Sequence, residues 1–152
     1  MNRFTMITPI AAAPARVFDV SLLVEVHTES MGRSGERAVG GVTSGPLKLG
    51  DTVTWEARHF GLRWRLTSRI TAYESPVEFV DEQISGPFLK WHHTHRFEPD
   101  GRGGTLMHDI VEFAAPLGPL GRIAELAVLN RYMARLIRIR NDYVKSAVEA
   151  AD

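Results

Sequence analysis

The sequence predicts an α+β fold in which a curved antiparallel sheet wraps a long C-terminal helix, and three observations predict it. From Asp51 to Ser85 apolar and polar residues alternate with a period close to two, the mark of half-buried strands. Glycine and proline clusters cut the middle of the chain into a run of about six strands. Beyond Arg122 there is no glycine or proline, and Leu126, Leu129, Met133, Leu136, Ile137, Val144 and Val148 recur at helical spacing. A sheet with one apolar face must be covered, and only this last helix is long enough. The sheet is therefore expected to curl around it and to leave space at the open end.

The totals set the frame. With 152 residues the chain is read as a single domain spanning 1–152, long enough for a continuous core. Hydrophobic residues are 44% and charged residues 24%, values of a folded protein rather than a disordered one. Eighteen basic residues balance eighteen acidic ones, so no net field draws the chain to nucleic acid. The absence of cysteine excludes disulfides, a thiolate nucleophile and cysteine-held metals, and suits a reducing cytoplasm. The stretch from Phe113 to Leu120 is broken by Pro116, Gly118 and Pro119 and is too short to span a bilayer, so no integral membrane contact is expected.

Each element follows from its residues. Met1 to Pro9 alternates polar and apolar side chains and reads as a strand rather than a secretory signal. Pro14 suits the first turn of a short helix that turns Val17 and Phe18 inward, and a second short helix is expected from Leu22 to Glu29. If Phe60-Gly61 is the tight turn of a hairpin, Trp55 faces Leu66, Ala57 faces Trp64 and Glu56 faces Arg65. The inner face then carries Val53, Trp55, Ala57, His59, Trp64, Leu66, Ser68 and Ile70, and Arg63, Arg65 and Arg69 look outward with Glu56. Ser75-Pro76 is the next turn. Pairing Ala72 with Phe79 across it puts Ser68, Asp81 and Gln83 on the inner face. Strands follow at Val77 to Ser85, Lys90 to Phe97 and Thr105 to Ala114, with Phe97 set beside Thr105, His95 beside Met107, His93 beside Asp109 and Trp91 beside Val111. Arg131, Arg135, Arg138 and Lys145 form the solvated face of the last helix.

The string Ile10-x-Ala-x-Pro14-x-x-Val17-Phe18-Asp19, the Gly-Glu-Arg-Ala segment after it, Trp91-x-His93-x-His95-x-Phe97, Gly104-Thr105-x-x-x-Asp109 and the glycine-proline link Leu117-Gly118-Pro119-Leu120 resemble the START-type polyketide cyclase/dehydrase and lipid-transport superfamily, or SRPBCC. The resemblance covers nearly the whole chain and looks most like an uncharacterised bacterial branch. It implies a helix-grip fold: a curved seven-stranded antiparallel sheet, two short helices after the first strand, and a long C-terminal helix framing a hydrophobic tunnel. Members include lipid carriers, receptors and aromatic cyclases, so fold alone does not choose among them.

Two constellations carry the chemistry. His93 and His95, about 6.6 Å apart on one face of a strand, point together while His92 points away. With Asp109 on the neighbouring strand they are candidates for acid–base catalysis, the carboxylate orienting an imidazole that moves a ligand proton. The same three residues also offer ligand types that zinc or iron takes, but nothing compels a third ligand, and no metal is expected. The preferred reading is that they satisfy one another as a polar patch. The second constellation is an aromatic inner wall. Trp55, Trp64, Phe79, Phe88 and Trp91, with His59, Ser68, Gln83, Met107, Met133 and Ile137, are the expected ligand-binding residues. No Gly-x-Ser-x-Gly, Gly-x-x-x-x-Gly-Lys or Gly-x-Gly-x-x-Gly occurs, so serine-hydrolase and nucleotide-binding chemistry have no support.

These readings together imply binding or transport of a hydrophobic or aromatic small molecule or lipid by a cytoplasmic monomer or homodimer that needs no cofactor. The alternative is a cofactor-free cyclase or dehydratase using His93 or His95 with Asp109 in the same cavity. A third possibility is an interaction module with a filled core and an exposed apolar patch.

Overall fold

The computed structural model describes residues 2–116, 118–124 and 128–150. Its seven strands are β1 (Asn2–Ile10), β2 (Arg37–Gly41), β3 (Thr52–His59), β4 (Leu62–Glu74), β5 (Glu78–Ser85), β6 (Lys90–Pro99) and β7 (Thr105–Ala114). They form one antiparallel sheet in the order β1-β7-β6-β5-β4-β3-β2. Between β1 and β2 lie α1 (Pro14–Ser21) and α2 (Val24–Ser30), and after β7 come α3 (Gly118–Ala124) and α4 (Asn130–Glu149). The glycine-proline link therefore opens a short helix of its own. The sequence places Leu126 on the long helix, but Leu126 lies outside the described residues. No described helix is long and apolar enough to cross a membrane.

The β3–β4 hairpin has the expected register, Trp55 with Leu66, Glu56 with Arg65 and Ala57 with Trp64. Phe60 and Gly61 both take positive φ, 55° and 74°, as a two-residue turn matched to strand twist requires. On the outer face the Glu56 carboxylate accepts from Arg37 at 2.9 Å and Arg65 at 2.8 Å. These hydrogen bonds hold its pKa below the ordinary carboxylate value.

Bulges bend the sheet. Register shifts occur between Ala38 and Gly40 against β3, and between Thr67 and Ser68 and between Ile70 and Ala72 against β5. Each inserts a residue into one strand and increases local bend and twist, which curls this end of the sheet. The shift after Ile70 corrects an expected pairing. Ala72 faces Val80 rather than Phe79, yet Ile70 still meets Asp81 and Ser68 still meets Gln83, because Thr71 is the extra residue.

The β6–β7 register also differs from expectation. Phe97 faces Met107, His95 faces Asp109, His93 faces Val111 and Trp91 faces Phe113. This is a two-residue slip, so it preserves which side chains share a face but moves each one along the strand. The reversal is shorter than expected, with Pro99 already paired to Thr105 and Asp100 Oδ1 accepting from the backbone of Arg102 and Gly104.

The core sits where α1 and the C-terminal half of α4 meet the sheet. Phe18 is fully buried and meets Tyr73, Phe79 and Phe97 edge-on, with Val144 and Val148 of α4 in the same cluster. Glu149 Oε2 accepts from the Ala11 N–H at 2.8 Å and Lys145 Nζ donates to the Pro9 carbonyl at 2.9 Å, tying the end of α4 to the turn after β1. Phe18→Ala should cost about 4 kcal/mol in denaturant unfolding, the range for a buried aromatic. Leu120→Ala, at a side chain 72% exposed, should change stability by less than about 0.5 kcal/mol.

Candidate functional site

Between the inner face of the sheet and the first half of α4 lies a cavity of about 540 Å³. The sheet supplies Trp55, His59, Trp64, Ser68 and Phe79 to its wall. Phe88 and Trp91 come from the β5–β6 turn and the start of β6, and Met133 and Ile137 from α4. These nine of the expected ligand-binding residues lie together. They do so because alternate residues of β3, β4, β5 and β6 face one side and residues three or four apart on α4 face the other.

Two expected lining residues lie elsewhere. Met107 is fully buried in the core cluster with Phe18 and Phe97, because the slipped β6–β7 register carries it away from the cavity. Gln83 braces the following turn instead, its Nε2 donating to the Phe88 carbonyl at 2.7 Å and its Oε1 accepting from the Phe88 N–H at 3.2 Å. A Cβ at Gly86 would stand 2.6 Å from that Oε1, so a side chain there would push Gln83 off the Phe88 backbone.

At one end of the cavity His93 and His95 belong to a buried ionic network. The two rings stack with centroids 3.7 Å apart, and Phe79 stacks on the other face of His95 at 4.2 Å. His93 Nε2 is 2.7 Å from Asp109 Oδ1, and Asp109 Oδ2 accepts from Asn141 Nδ2 at 2.6 Å. His95 Nε2 is 2.6 Å from Asp81 Oδ2, whose other oxygen accepts from the Trp91 indole at 3.2 Å. Arg140 of α4 closes the network, donating to His95 Nδ1 at 3.0 Å and to Asn141 Oδ1 at 2.8 Å.

Asp109, expected among the catalytic groups, is fully buried behind His93 and Asn141 and does not line the cavity. Asp81 does, as does Glu36, whose Oε1 is bonded to His27 Nε2 at 2.9 Å. From sequence Asp81 falls on the inner face without a histidine partner, and Arg140 has no expected role at all. A signal for Arg140 existed, because position 140 falls on the apolar stripe of α4, three residues after Ile137 and four before Val144.

The hydrogen bonds fix the protonation pattern. A guanidinium only donates, so His95 Nδ1 is an acceptor and its proton sits on Nε2, directed at Asp81. His95 is thus a neutral imidazole bonded to a carboxylate. Burial is the main cause that holds its pKa down, to about 3, with the His93 and Arg140 charges adding and Asp81 opposing. Burial pushes Asp81 and Asp109 up, but hydrogen bonds from His95 and His93 respectively, with the neighbouring positive groups, outweigh it and hold both below the ordinary carboxylate range.

Asp81, His93 and His95 offer three donor atoms within 4.8 Å of one another. The residue types suit a transition metal, but the geometry does not. Rings stacked at 26° send their lone pairs along nearly parallel planes that do not converge at bonding distance, and Arg140 holds the outer nitrogen of His95 as an acceptor where a metal-bound imidazole needs to donate.

Away from this network the His59 ring nitrogen Nδ1 lies 2.6 Å from the Tyr132 hydroxyl, joining the β3–β4 hairpin to α4, and Phe60 packs on the Tyr132 ring. The apolar stripe of α4 also signals Tyr132, three residues after Leu129 and four before Leu136.

A family profile described as polyketide cyclase / dehydrase and lipid transport matches residues 1–149. Several solved structures share the fold at low identity. The protein TTHA0849 from Thermus thermophilus is 16% identical, with a TM-score of 0.79 and 99% of each chain covered. A START superfamily protein from Mycobacterium smegmatis is 11% identical, with a TM-score of 0.73 and 99% of each chain covered. The Zhui aromatase/cyclase from a Streptomyces species is 13% identical, with a TM-score of 0.67, 96% of this chain covered and 95% of its own. No curated protein matches the sequence.

The protonation pattern predicts acid sensitivity. A histidine neutral in the fold and ordinary when unfolded, near 6.5, loses stability as pH falls through that value, because the unfolded chain takes up the proton first. Unfolding free energy should fall by about 2 kcal/mol between pH 6.5 and 5. It should fall more steeply below about pH 4 as the unfolded counterparts of Asp81 and Asp109 protonate. His95→Gln should remove most of the first loss and leave the second, read by denaturant titrations at each pH.

Proposed function

The chain belongs to the polyketide cyclase/dehydrase and lipid-transport family, and from that premise we propose that it is a cytoplasmic protein that binds or carries a hydrophobic or aromatic small molecule inside the cavity under α4. The observation that carries the reading is the cavity itself: about 540 Å³ lined by tryptophan, phenylalanine and aliphatic side chains, with Asp81, His93, His95 and Arg140 gathered at one end. Burial of apolar ligand surface supplies roughly 25 cal/mol per Å² toward binding, and the polar end orients the ligand.

One observation supports a second reading as a cyclase or dehydratase. His95 directs its Nε2 proton at Asp81 while Arg140 holds Nδ1, and both His95 and Asp81 line the cavity. This is a positioned carboxylate–imidazole pair, and proton transfer needs such a pair within hydrogen-bond reach of the reacting atom. The catalytic assignment moves accordingly to Asp81, with His95, both of whose nitrogens are committed, as its positioning residue and Asp109 as that of His93.

The test is titration with the neutral fluorescent probe N-phenyl-1-naphthylamine. Saturable binding of one probe per chain is expected. Ile137→Trp, which adds bulk from the helix side, should weaken it at least tenfold without lowering the unfolding midpoint by more than a few degrees. Equal affinity of wild type and Ile137→Trp would place the probe outside the cavity and defeat the reading. Enzyme and carrier separate in a turnover assay on a polyketide-like substrate, where His95→Gln should abolish reaction and spare probe binding if the protein is an enzyme.

A further inference from the structure

Resting on the cavity reading, we infer that the ligand ends in a neutral hydroxyl, such as a phenol, enol or alcohol, held between Asp81 and His93, and that the cavity discriminates against carboxylates. Among the charged groups of the network Asp81 is the one most open to the cavity, its side chain 20% exposed against 0% for Asp109 and 7% for Arg140. Its Oδ1 accepts from Trp91 and its Oδ2 from His95, which leaves lone pairs on the cavity side.

His93 spends Nε2 on Asp109, and its Nδ1 stands 3.8 Å from Asp81 Oδ2, too far for a direct hydrogen bond. A single oxygen fits between them, about 2.8 Å from each. A hydroxyl there donates its proton to the Asp81 carboxylate, and its own oxygen accepts from Nδ1 when that nitrogen carries a proton.

A ligand carboxylate fits badly. It has no proton to give Asp81, and it would set a second negative charge against an ionised carboxyl in an apolar enclosure. Arg140 does not offset this, because its guanidinium is committed to His95 and Asn141 and stands 3.5 Å from Asp109. An ammonium head brings its own desolvation cost and the repulsion of Arg140; Asp109 is shut away behind His93 and Asn141, and Glu36, the cavity's other carboxylate, is bonded to His27.

Four probes on one frame test the inference with the whole protein: naphthalene, 2-naphthol, 2-naphthoate and 2-naphthylmethylammonium, titrated at neutral pH. Naphthol should bind about tenfold tighter than naphthalene, the worth of a hydrogen bond to a charged group, and at least tenfold tighter than either charged analogue. In Asp81→Asn the preference for naphthol over naphthoate should shrink at least tenfold. If that variant does not fold, the wild-type complex decides alone, because the absorbance of bound naphthol on alkaline titration should report a pKa raised above its value in water. A lowered pKa, tighter binding of naphthoate or of the ammonium, or equal binding of naphthol and naphthalene overturns the inference and leaves the cavity reading standing. Binding of none of the four overturns both.

Discussion

The hydrogen bond from Asn141 to Asp109 fixes the long helix against the sheet, and most of the architecture depends on it. Asp109 lies fully buried on β7, where an ionised carboxyl survives only with partners for both oxygens. His93 supplies one partner and Asn141 the other. Arg140, the preceding residue on α4, reaches His95 on the neighbouring strand. Adjacent positions on one helix thus engage two strands, and a slide of α4 by one turn, about 5.4 Å, would leave a buried charge unpaired.

That constraint divides α4 into two halves with different work. Its second half carries the buried residues Arg140, Asn141, Val144 and Val148 and closes the core with α1. In its first half Met133 and Ile137 pack only partly, against Trp91, Val111 and Phe113, and stand off from the strands across the cavity. The register shifts along β2 and β4 bend the sheet on the opposite side. The same network that pins the helix ends the cavity, so the polar groups a ligand meets are held rigidly by the fold. A neutral His95 between a guanidinium and a carboxylate keeps the enclosed charge low in a place where water does not screen it.

Much of this was legible in the sequence, where two independent demands met on one segment. The β3–β4 register satisfied an apolar face and a Glu56–Arg65 pair at once, and the hairpin matches it. The β6–β7 pairing rested on the turn alone. A turn two residues shorter slips it while leaving His93, His95 and Asp109 on one face, so their cross-strand neighbours differ from expectation and the His93–Asp109 contact survives. Met107 left the cavity wall through that same slip. Gln83 sits on the expected face, yet its side chain folds back to brace Phe88, and alternation says nothing about where a long polar side chain turns. Arg140 is hidden by composition, since Arg131, Arg135 and Arg138 mark a solvated face and a fourth arginine in the same segment blends into them although it lies on the opposite side of the helix. Its place on the apolar stripe was the available clue.

Ligand binding of any kind requires that the curled sheet and the standing-off half of α4 enclose open space lined by apolar side chains. Xenon binds such space and not a packed interior, so crystals of the protein under xenon pressure test it most directly. Xenon density is expected among Trp64, Phe79 and Ile137, with the helix in place. Side chains of α4 collapsed onto β3 and β4, with no xenon between them, would contradict it.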